Sequence, residues 1–389
     1  MREKLSRKVL DIKPSGIRRF FDVASEIPDV ISLGVGEPDF DTPWHIREEG
    51  IRALKNGKTF YTSNAGLMEL RQEISGYSRR KMGVSYDPKT EIFLSVGGSE
   101  AIDAAFRALL NPGDEVAYIE PSFVSYSPCI IMADGVPVPI ELKEENDFRL
   151  QPQELEAVLT EKTKILMISY PNNPTGAIME KKDLEAIAEV VKAHDLLVIS
   201  DEIYSELTYR EPHVSIASLP DMKDRTIVIN GFSKAFAMTG WRLGYAMGNA
   251  EIIQQMVKIH QFGIMSAPTI SQYAAIDALR NSEEDVKNMR DSYNQRRRFL
   301  MDFFRRVGIP CFEPYGAFYV FPNISEFGMT SEEFATELLK EQKVAVVPGD
   351  AFGACGEGFI RVSYAYSIEE LKRATGRLEQ FICKLRSQK

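Results

Sequence analysis

Two basic residues near the middle of the chain, Lys234 and Arg242, have the types and spacing needed for covalent chemistry on a bound phosphate ester. Lys234 follows residues 226–229, a short β-branched run that is typical of a buried strand. A lysine in this place can be desolvated by the fold while its amine faces a crevice. The planar fork of Arg242 suits a phosphate. Taken alone, such a residue is more often a solvated loop cation, so the surrounding elements must decide.

The composition is ordinary for a globular protein, and its length predicts about two domains. The chain has 389 residues and a net charge of −9, which argues against a nucleic-acid or membrane-surface footprint. It contains no apolar run of the kind that forms a secretory signal or a membrane span, so we expect a cytoplasmic protein. Its four cysteines and four histidines are scattered, which predicts reduced thiols and no metal site.

The pattern of residues 91–247 predicts the element that positions the two cations. Short apolar runs alternate there with helical patterns, which indicates an α/β fold with a parallel sheet covered on both faces. Ligands bind such sheets outside the carboxyl ends of the strands. A long charged helix is predicted from Ser282, and residues 310–389 predict a smaller α+β unit with which the first forty residues pack. We therefore predict a large domain over 43–285 and a discontinuous small domain of 1–42 and 286–389.

Polar residues stand at several of the predicted strand ends. Gly98 and Ser99 open a helix directly after a strand, where free N–H groups and the helix dipole favour an anion such as phosphate. Asp201 ends an apolar strand and either caps the next helix or faces a site. Tyr204 follows within one predicted helical turn and would share its face. Each signal is modest by itself.

Two further residues carry polar groups that need partners. Asn173 lies in a turn before Pro174. Arg361 lies in mid-strand, where alternation sets it on the face opposite Ile360 and Val362. An arginine there needs an acidic partner, which could be a carboxylate ligand or an acid of the protein.

In order, these residues resemble class I aminotransferases, the fold-type I enzymes that depend on pyridoxal phosphate. The resemblance covers essentially the whole chain and is nearest to archaeal aromatic aminotransferases and to bacillar enzymes for alanine or N-acetyl-diaminopimelate. It implies a three-layer αβα, mostly parallel large domain with a small α+β domain. The residues that carry it are Gly98-Ser99, Asn173-Pro174-Thr175-Gly176, Asp201-Glu202-Ile203-Tyr204, Ser233-Lys234, Gly240-Trp241-Arg242-Leu243-Gly244 and Arg361.

The resemblance implies an aminotransferase that moves the amino group of an L-amino acid to a 2-oxo acid in two half-reactions. Lys234 would form the Schiff base with the cofactor and, once freed, carry the α-proton. Asp201 would pair with the pyridinium nitrogen, which makes the ring an electron sink. Tyr204 and Asn173 would contact the 3′ oxygen, and Phe123 would stack on the ring.

The resemblance also implies how the two charged ends of the ligands are held. Gly98, Ser99, Ser233 and Arg242 would bind the phosphate. Tyr61 would reach the phosphate of a neighbouring subunit, which implies a homodimer with shared sites.

Arg361, with Gly36 and Asn173 beside it, would hold the α-carboxylate of the substrate, and its arrival would help the small domain to close. Relatives carry cis bonds before Pro121 and Pro174, so we predict both bonds to be cis against a base rate of about 5%.

The substrate side chain and two rival functions stay open. Ser99 replaces a lysine that aspartate-type bacterial relatives often carry, so aspartate stands beside aromatic amino acids, alanine and N-acetyl-diaminopimelate as an open donor. Loop residues near Ile17, Phe20, Phe262 and Ile264 are candidates for selecting among them.

A β-lyase or decarboxylase would keep Lys234 and Asp201 but need no 2-oxo acid. A cofactor-binding regulator would need a DNA-binding helix-turn-helix, for which the sequence before the predicted strand at Val30 leaves no room.

Overall fold

Helices and strands alternate along the chain over residues 2–12 and 27–388, which the computed structural model describes. The strands are β1 (Ile31–Ser32), β2 (Ile92–Ser95), β3 (Glu115–Glu120), β4 (Val136–Glu141), β5 (Thr163–Ser169), β6 (Leu197–Asp201), β7 (Thr226–Gly231), β8 (Gly244–Met247), β9 (Tyr319–Val320), β10 (Val344–Ala345), β11 (Val347–Pro348) and β12 (Ile360–Ser363). The helices are α1 (Arg7–Asp11), α2 (Trp44–Lys55), α3 (Met68–Met82), α4 (Gly98–Leu109), α5 (Tyr126–Met132), α6 (Pro152–Glu156), α7 (Lys181–Ala193), α8 (Ala250–Gly263), α9 (Thr269–Asn281), α10 (Glu283–Val307), α11 (Ser331–Gln342) and α12 (Ile368–Ser387). Ile17 and Phe20 lie outside the described residues.

The main sheet confirms the predicted α/β class. Its strand order is β2-β8-β7-β6-β5-β3-β4, and the pairs from β7 through β4 are all parallel. Strand β8 is the exception, because it runs antiparallel to both of its neighbours. Residues 232–243 between β7 and β8 contain no crossover helix, and without one the chain can only turn back beside the strand that it has just left.

Both faces of this sheet are covered, as its apolar strands predicted. Along β7, Ile227 and Ile229 pack into one cluster with helix α4, whereas Val228 packs into the cluster on the opposite face. This alternation follows from the two-residue period of a strand. Helix α4 buries Ala101, Ile102, Ala104, Ala105 and Phe106 against the first face. The sheet is therefore the middle layer of three, and its strand ends are held rigidly from both sides.

The C-terminal part forms separate small sheets. In one of them β12 pairs antiparallel with β11 and with β9, so Arg361 lies in a middle strand. Strand β1 pairs parallel with β10, which confirms the expected packing for this part of the N-terminal segment. Helix α1 instead lies beside α5, where Lys8 forms an ion pair with Asp134, so the expectation is wrong for that short helix. The division into 43–285 and the remainder stays a prediction.

Local geometry confirms the two predicted cis bonds, Glu120–Pro121 and Asn173–Pro174, and adds a third at Tyr170–Pro171. No helix in the described ranges is both long and apolar enough to cross a membrane. Among the same residues, no group of histidine, cysteine and acidic side chains could hold a metal ion.

Candidate active site

A cavity of about 430 Å³ lies between the carboxyl ends of the main-sheet strands and the small sheets. It brings together every residue to which the sequence assigned a catalytic, cofactor-binding or carboxylate-binding role, except Tyr61. Its lining is Gly34, Val35, Gly36, Glu37, Gly98, Ser99, Ile102, Phe123, Tyr126, Ser169, Asn173, Asp201, Ile203, Tyr204, Ser233, Lys234, Thr239, Arg242, Tyr319 and Arg361.

Lys234 enters the cavity from the loop that follows β7. Its Nζ donates a hydrogen bond to the carbonyl oxygen of Gly36. The rings of Tyr204 and Phe318 flank the amine, with centroids 5.8 and 5.7 Å from Nζ. Burial lowers the pKa of Lys234 to about 8. An amine with this pKa is about one-tenth unprotonated at pH 7, far more than an ordinary lysine, and the unprotonated form is the one that a nucleophile or a proton carrier requires.

Asp201 ends β6 on the floor of the cavity and is 6% exposed. Its carboxylate accepts hydrogen bonds from the hydroxyl of Tyr126 at 2.7 Å and from the backbone N–H of Ile203 at 3.1 Å. It forms no ion pair with any described residue. Burial therefore raises the pKa of Asp201 to about 6. Because no cation of the protein pairs with this buried carboxyl group, a positively charged group of a ligand would stabilise its ionised form.

The connection from Asp201 to Tyr204 differs from the prediction. Residues 202–205 form a turn, closed by a 2.9 Å backbone hydrogen bond from Ser205 to Glu202, and not the first turn of a helix. Both side chains still line the cavity, because the strand end and this turn follow each other directly. Tyr126 was missed by the sequence interpretation. Nothing in its own motif indicates a site, and only its place three residues after Phe123 could have suggested one.

Arg361 projects from the middle strand of the small sheet and is 3% exposed. Its Nη1 donates to Asn173 Oδ1 at 2.7 Å, and its Nη2 donates to the carbonyl oxygen of Gly34. Its Nε is buried and has no hydrogen-bond partner among the described residues. Burial lowers the pKa of this guanidinium. The acidic partner that the sequence demanded is thus absent from the described chain, which leaves a carboxylate ligand as the natural one.

Tyr319, a second residue that the sequence interpretation missed, joins Arg361 to Tyr204. The guanidinium carbon of Arg361 lies 4.4 Å from the centroid of the Tyr319 ring. The hydroxyl oxygens of Tyr319 and Tyr204 are 2.7 Å apart. Residues 317–321 were recognised as strand-like, but an alternating apolar run does not reveal which member faces a ligand.

An anion cradle forms the opposite end of the cavity, where helix α4 begins at Gly98. Gly97 has a positive φ of 77°, and a Cβ there would lie 2.5 Å from Nη2 of Arg242. A Cβ on Gly244 would lie 2.5 Å from the backbone nitrogen of Gly98. Glycine at these two positions therefore lets Arg242, β8 and the start of helix α4 lie this close together, and the buried Ser233 lines the same cavity. Backbone N–H groups and a guanidinium that meet in this way suit a phosphate.

The polar groups along the cavity match the phosphate, the aldehyde and the ring nitrogen of pyridoxal phosphate. The cradle offers donors for a phosphate, and unpaired Asp201 offers an anion for a ring nitrogen. Between them Lys234 presents an amine of lowered pKa. Phe123 is partly buried on the cavity wall, where its ring meets Tyr126 edge-on at 5.8 Å and leaves a face for an aromatic ligand.

Tyr61 lies away from this cavity and is 82% exposed. It belongs to an exposed group that we term the aromatic edge, whose members are Phe60, Tyr61, Phe262, Ile264 and Met265. Two hydrogen bonds hold its segments together: Asn64 Nδ2 donates to the carbonyl oxygen of Met265 at 2.8 Å, and Thr269 Oγ1 donates to that of Phe60 at 2.7 Å. Phe262 and Ile264 thus line this edge and not the cavity.

Comparison with known proteins gives a consistent answer. The family model "Aminotransferase class I and II" matches residues 28–378. The chain is 51% identical over 384 residues to a Bacillus subtilis protein named "Putative aminotransferase YugH", covering 99% of this chain and 100% of that one. It is 48% identical to the aspartate aminotransferase of Pyrococcus abyssi, with 95% and 96% covered.

A solved aromatic aminotransferase from Pyrococcus horikoshii superposes with a TM-score of 0.91 at 46% identity, covering 94% of this chain and 99% of that structure. The predicted fold type and the predicted archaeal and bacillar relatives are therefore confirmed. The chain belongs to the class I and II aminotransferase family and is an aminotransferase.

Proposed function

We propose that this protein uses pyridoxal phosphate to move the amino group of an L-amino acid to a 2-oxo acid by a ping-pong route, with Lys234 as the residue that binds the cofactor covalently as a Schiff base. One observation carries the proposal. An amine with a pKa of about 8 and a carboxyl group with a pKa of about 6 face one cavity without forming an ion pair with each other. Each lacks the partner that this cofactor would supply.

The cofactor would lie between the cradle and Asp201. Its phosphate would bind the backbone of Gly98 and Ser99, the hydroxyl of Ser233 and the guanidinium of Arg242. Burial keeps Asp201 away from competing solvent, so its charge would act fully on a ring nitrogen. When bound, the cofactor supplies an electron sink for the carbon that loses its proton.

Lys234, Tyr204 and Phe123 would work around that ring. The hydroxyl of Tyr204 would donate to the 3′ oxygen, with the Nδ2 of Asn173 as a second donor. Phe123 would cover one face of the ring. The freed amine of Lys234 would take the α-proton from the substrate and carry it to the carbon that receives it. The carbonyl of Gly36 orients this amine, and the rings of Tyr204 and Phe318 shield it from water.

Arg361 would orient the substrate through its α-carboxylate. Its Nε has no hydrogen-bond partner among the described residues, and its Nη2, which donates one hydrogen to the Gly34 carbonyl, carries a second one. A carboxylate would accept hydrogen bonds from both nitrogens in a bidentate manner. Gly36 lies beside this position and would leave room for the ligand.

We further propose that the preferred donors carry an uncharged side chain. Three cations line the described part of the cavity, and Lys234, Arg242 and Arg361 each have another assigned partner. A distal carboxylate would meet Glu37 at the mouth, where like charges repel. Val35 and Ile102 offer apolar contacts. The names of the relatives leave this point open, because aspartate and aromatic enzymes are similarly close to the chain.

We also propose a cytoplasmic homodimer with shared sites, and the aromatic edge supports the dimer. Large apolar side chains as exposed as Phe262 (84%) and Phe60 (82%) mark an interaction surface. A second copy of the chain that covers this edge would bring Tyr61 toward the phosphate cradle of its partner.

The test is to follow the visible absorption of the cofactor-loaded protein while single amino acids are added. We expect the yellow band to be replaced by the pyridoxamine band, and a 2-oxo acid alone to restore it. A panel of aromatic amino acids, alanine, N-acetyl-diaminopimelate, aspartate and glutamate then ranks the donors.

Other outcomes would redirect the assignment. Release of ammonia together with a 2-oxo acid, without any acceptor, would identify a β-lyase. The absence of a spectral change with every amino acid would contradict transamination. Preference for aspartate, glutamate or N-acetyl-diaminopimelate, each of which has a carboxylate on its side chain, over all uncharged donors would contradict the proposed side-chain class but leave the reaction type intact.

A further inference from the structure

We propose that Tyr319 is a positioning residue of the active site, which holds the phenol of Tyr204 and the guanidinium of Arg361 in their working orientations at the same time. The proposal rests on the function proposed above, in which Tyr204 serves the cofactor and Arg361 serves the substrate carboxylate. No other described residue contacts both side chains through a hydrogen bond and a ring face.

The register of the small sheet explains how Tyr319 reaches Arg361. Strand β9 pairs antiparallel with β12, and Tyr319 lies opposite Ser363. Arg361 lies two residues before Ser363 and therefore on the same face of the sheet, as the diagonal neighbour of Tyr319. Aromatic side chains span such diagonals, and here the ring lies under the guanidinium carbon at 4.4 Å.

The hydroxyl of Tyr319 reaches Tyr204 from the other side. The two oxygens are 2.7 Å apart, and both residues are buried, with exposures of 1% and 4%. This is the one hydrogen bond that the Tyr319 hydroxyl forms within the described residues. Burial raises the pKa of both phenols above the ordinary value, so both keep their protons at neutral pH.

Proton counting fixes the direction of this hydrogen bond when the site is loaded. A phenol has one hydrogen to donate. If Tyr204 donates its hydrogen to the 3′ oxygen of the cofactor, the contact with Tyr319 can be satisfied only if Tyr319 donates to Tyr204. A hydroxyl that accepts a hydrogen bond becomes a stronger donor in turn. Tyr319 would thus strengthen the hydrogen bond that Tyr204 makes.

Gly36 shows that Tyr319 is also fitted tightly against the substrate side of the cavity. A Cβ at Gly36 would lie 2.3 Å from the Tyr319 hydroxyl oxygen, so only glycine allows this approach. The carbonyl of the same Gly36 accepts the hydrogen bond of Lys234. The Tyr319 side chain therefore contacts Tyr204 and Arg361 and lies against Gly36, whose carbonyl orients Lys234.

The hydroxyl and the ring of Tyr319 should have separable effects. Tyr319→Phe keeps the ring under Arg361 and removes only the hydrogen bond to Tyr204. We expect the pH transition of the visible absorption to move up by about one pH unit, because a weaker donor at the 3′ oxygen favours the protonated chromophore. The KM for the amino donor should change less than about threefold. Tyr319→Leu removes the ring as well and should raise that KM about tenfold.

The experiment is a pH titration of the absorption of cofactor-loaded wild-type protein and Tyr319→Phe, followed by steady-state kinetics on both. Tyr364→Phe is the matched control. It also loses a buried phenol hydrogen bond beside the small sheet, here to the carbonyl oxygen of Ala317 at 3.2 Å. No hydrogen bond or ring contact among the described residues joins Tyr364 to Tyr204 or Arg361. We expect the control to lose some thermal stability and to keep the wild-type pH transition.

Two results would overturn the proposal. If Tyr319→Phe titrates like the wild type, the hydroxyl has no role beyond packing. If Tyr319→Phe and the control Tyr364→Phe shift the pH transition equally, the shift reflects a general loss of packing in the small sheet and not the hydrogen bond to Tyr204. A cofactor-loaded wild-type protein whose visible band changes with no amino acid would instead show that the proposed function itself is wrong, and this proposal would fall with it.

Discussion

The floor of the cavity buries its functional side chains within one chain, whereas the aromatic edge leaves its side chains exposed to solvent. We define the floor as Lys234, Asp201, Tyr126 and Tyr204. Each of these side chains is held by hydrogen bonds or ring contacts from its own chain, and the pKa values of Lys234 and Asp201 are already displaced by burial. Tyr61 on the edge has more than four-fifths of its surface in solvent and lines no part of the cavity.

In the proposed function, one chain holds the side chains of the reaction in place, and a second copy of the chain would cover the edge. The floor can be rigid because strands β6 and β7 lie inside a sheet that is covered on both faces. The edge lies on loops and helix ends, where the described residues of the same chain leave it exposed. Changes on the floor should therefore abolish the reaction, and changes on the edge should weaken binding.

The largest effect is expected on the floor from Lys234→Ala. The variant keeps the cradle and Asp201, so it should still bind pyridoxal phosphate, although without the covalent link. Turnover should fall by about 10⁴-fold or more, because both the nucleophile and the proton carrier are lost. Borohydride treatment followed by mass analysis of peptides checks the link directly.

Lys258→Ala, at an exposed position on α8, is the control and should keep full activity and the reduced adduct on Lys234. An adduct on another lysine, or a fully active Lys234→Ala protein, would remove Lys234 from the mechanism.

A second floor prediction concerns Asp201→Asn and pH. The pKa of Asp201 is raised from 3.8 to about 6 in the fold, so the unfolded chain releases this proton more readily than the folded one. In cofactor-free wild-type protein the free energy of unfolding should therefore fall by about 3 kcal/mol as pH rises from about 4 to above 6. The variant should lack this part of the pH dependence and yet lose about 10²-fold or more in activity.

Denaturant unfolding of both cofactor-free proteins at a series of pH values measures the difference. Asp302→Asn, at an exposed position on α10, should behave like the wild type. Parallel curves for wild type and Asp201→Asn would show that the carboxyl group ionises without cost in the fold, contrary to its burial.

The sequence predicts some residues of the site better than others, and the difference has a physical reason. Lys234, Asp201 and Arg242 lie at or beside strand ends of the main sheet, and the carboxyl ends of its parallel strands meet on one side of that sheet. The sequence therefore located these three together. Arg361 belongs to a separate small sheet, and only the resemblance to the family placed it at the same site. Strand β8 was not expected to reverse, because direction depends on the missing crossover helix and not on the apolar run itself.

The sequence did not predict Tyr126 or Tyr319 as site residues, because neither lies at a strand end that is marked by glycine, proline or a polar residue. Tyr126 opens a short helix and Tyr319 sits in an apolar strand, where aromatic residues usually serve the core. Their hydrogen bonds to Asp201 and Tyr204 join positions 75 and 115 residues apart in the sequence. Such pairings depend on how layers stack, which one sequence does not specify.

The smallest effect is expected at the edge, from Tyr61→Phe. The change removes one hydroxyl from a ring that would otherwise stay in the interface. If this hydroxyl donates to the phosphate in a neighbouring subunit, its loss should weaken cofactor binding about tenfold and leave turnover at saturating cofactor nearly unchanged. Sedimentation should show that the variant is still a dimer. Cofactor titration followed by fluorescence measures the affinity.

Mixed dimers decide whether Tyr61 acts across the interface. When Lys234→Ala and Tyr61→Phe chains are co-expressed with different tags, each mixed dimer has one site with an intact lysine, and that site belongs to the Tyr61→Phe chain. If Tyr61 serves its neighbour, this site receives an intact tyrosine from the Lys234→Ala chain. It should then bind the cofactor with wild-type affinity and give half the activity of a wild-type dimer. If Tyr61 served its own chain, the same site would keep the weakened affinity, and the edge would be no more than an interface.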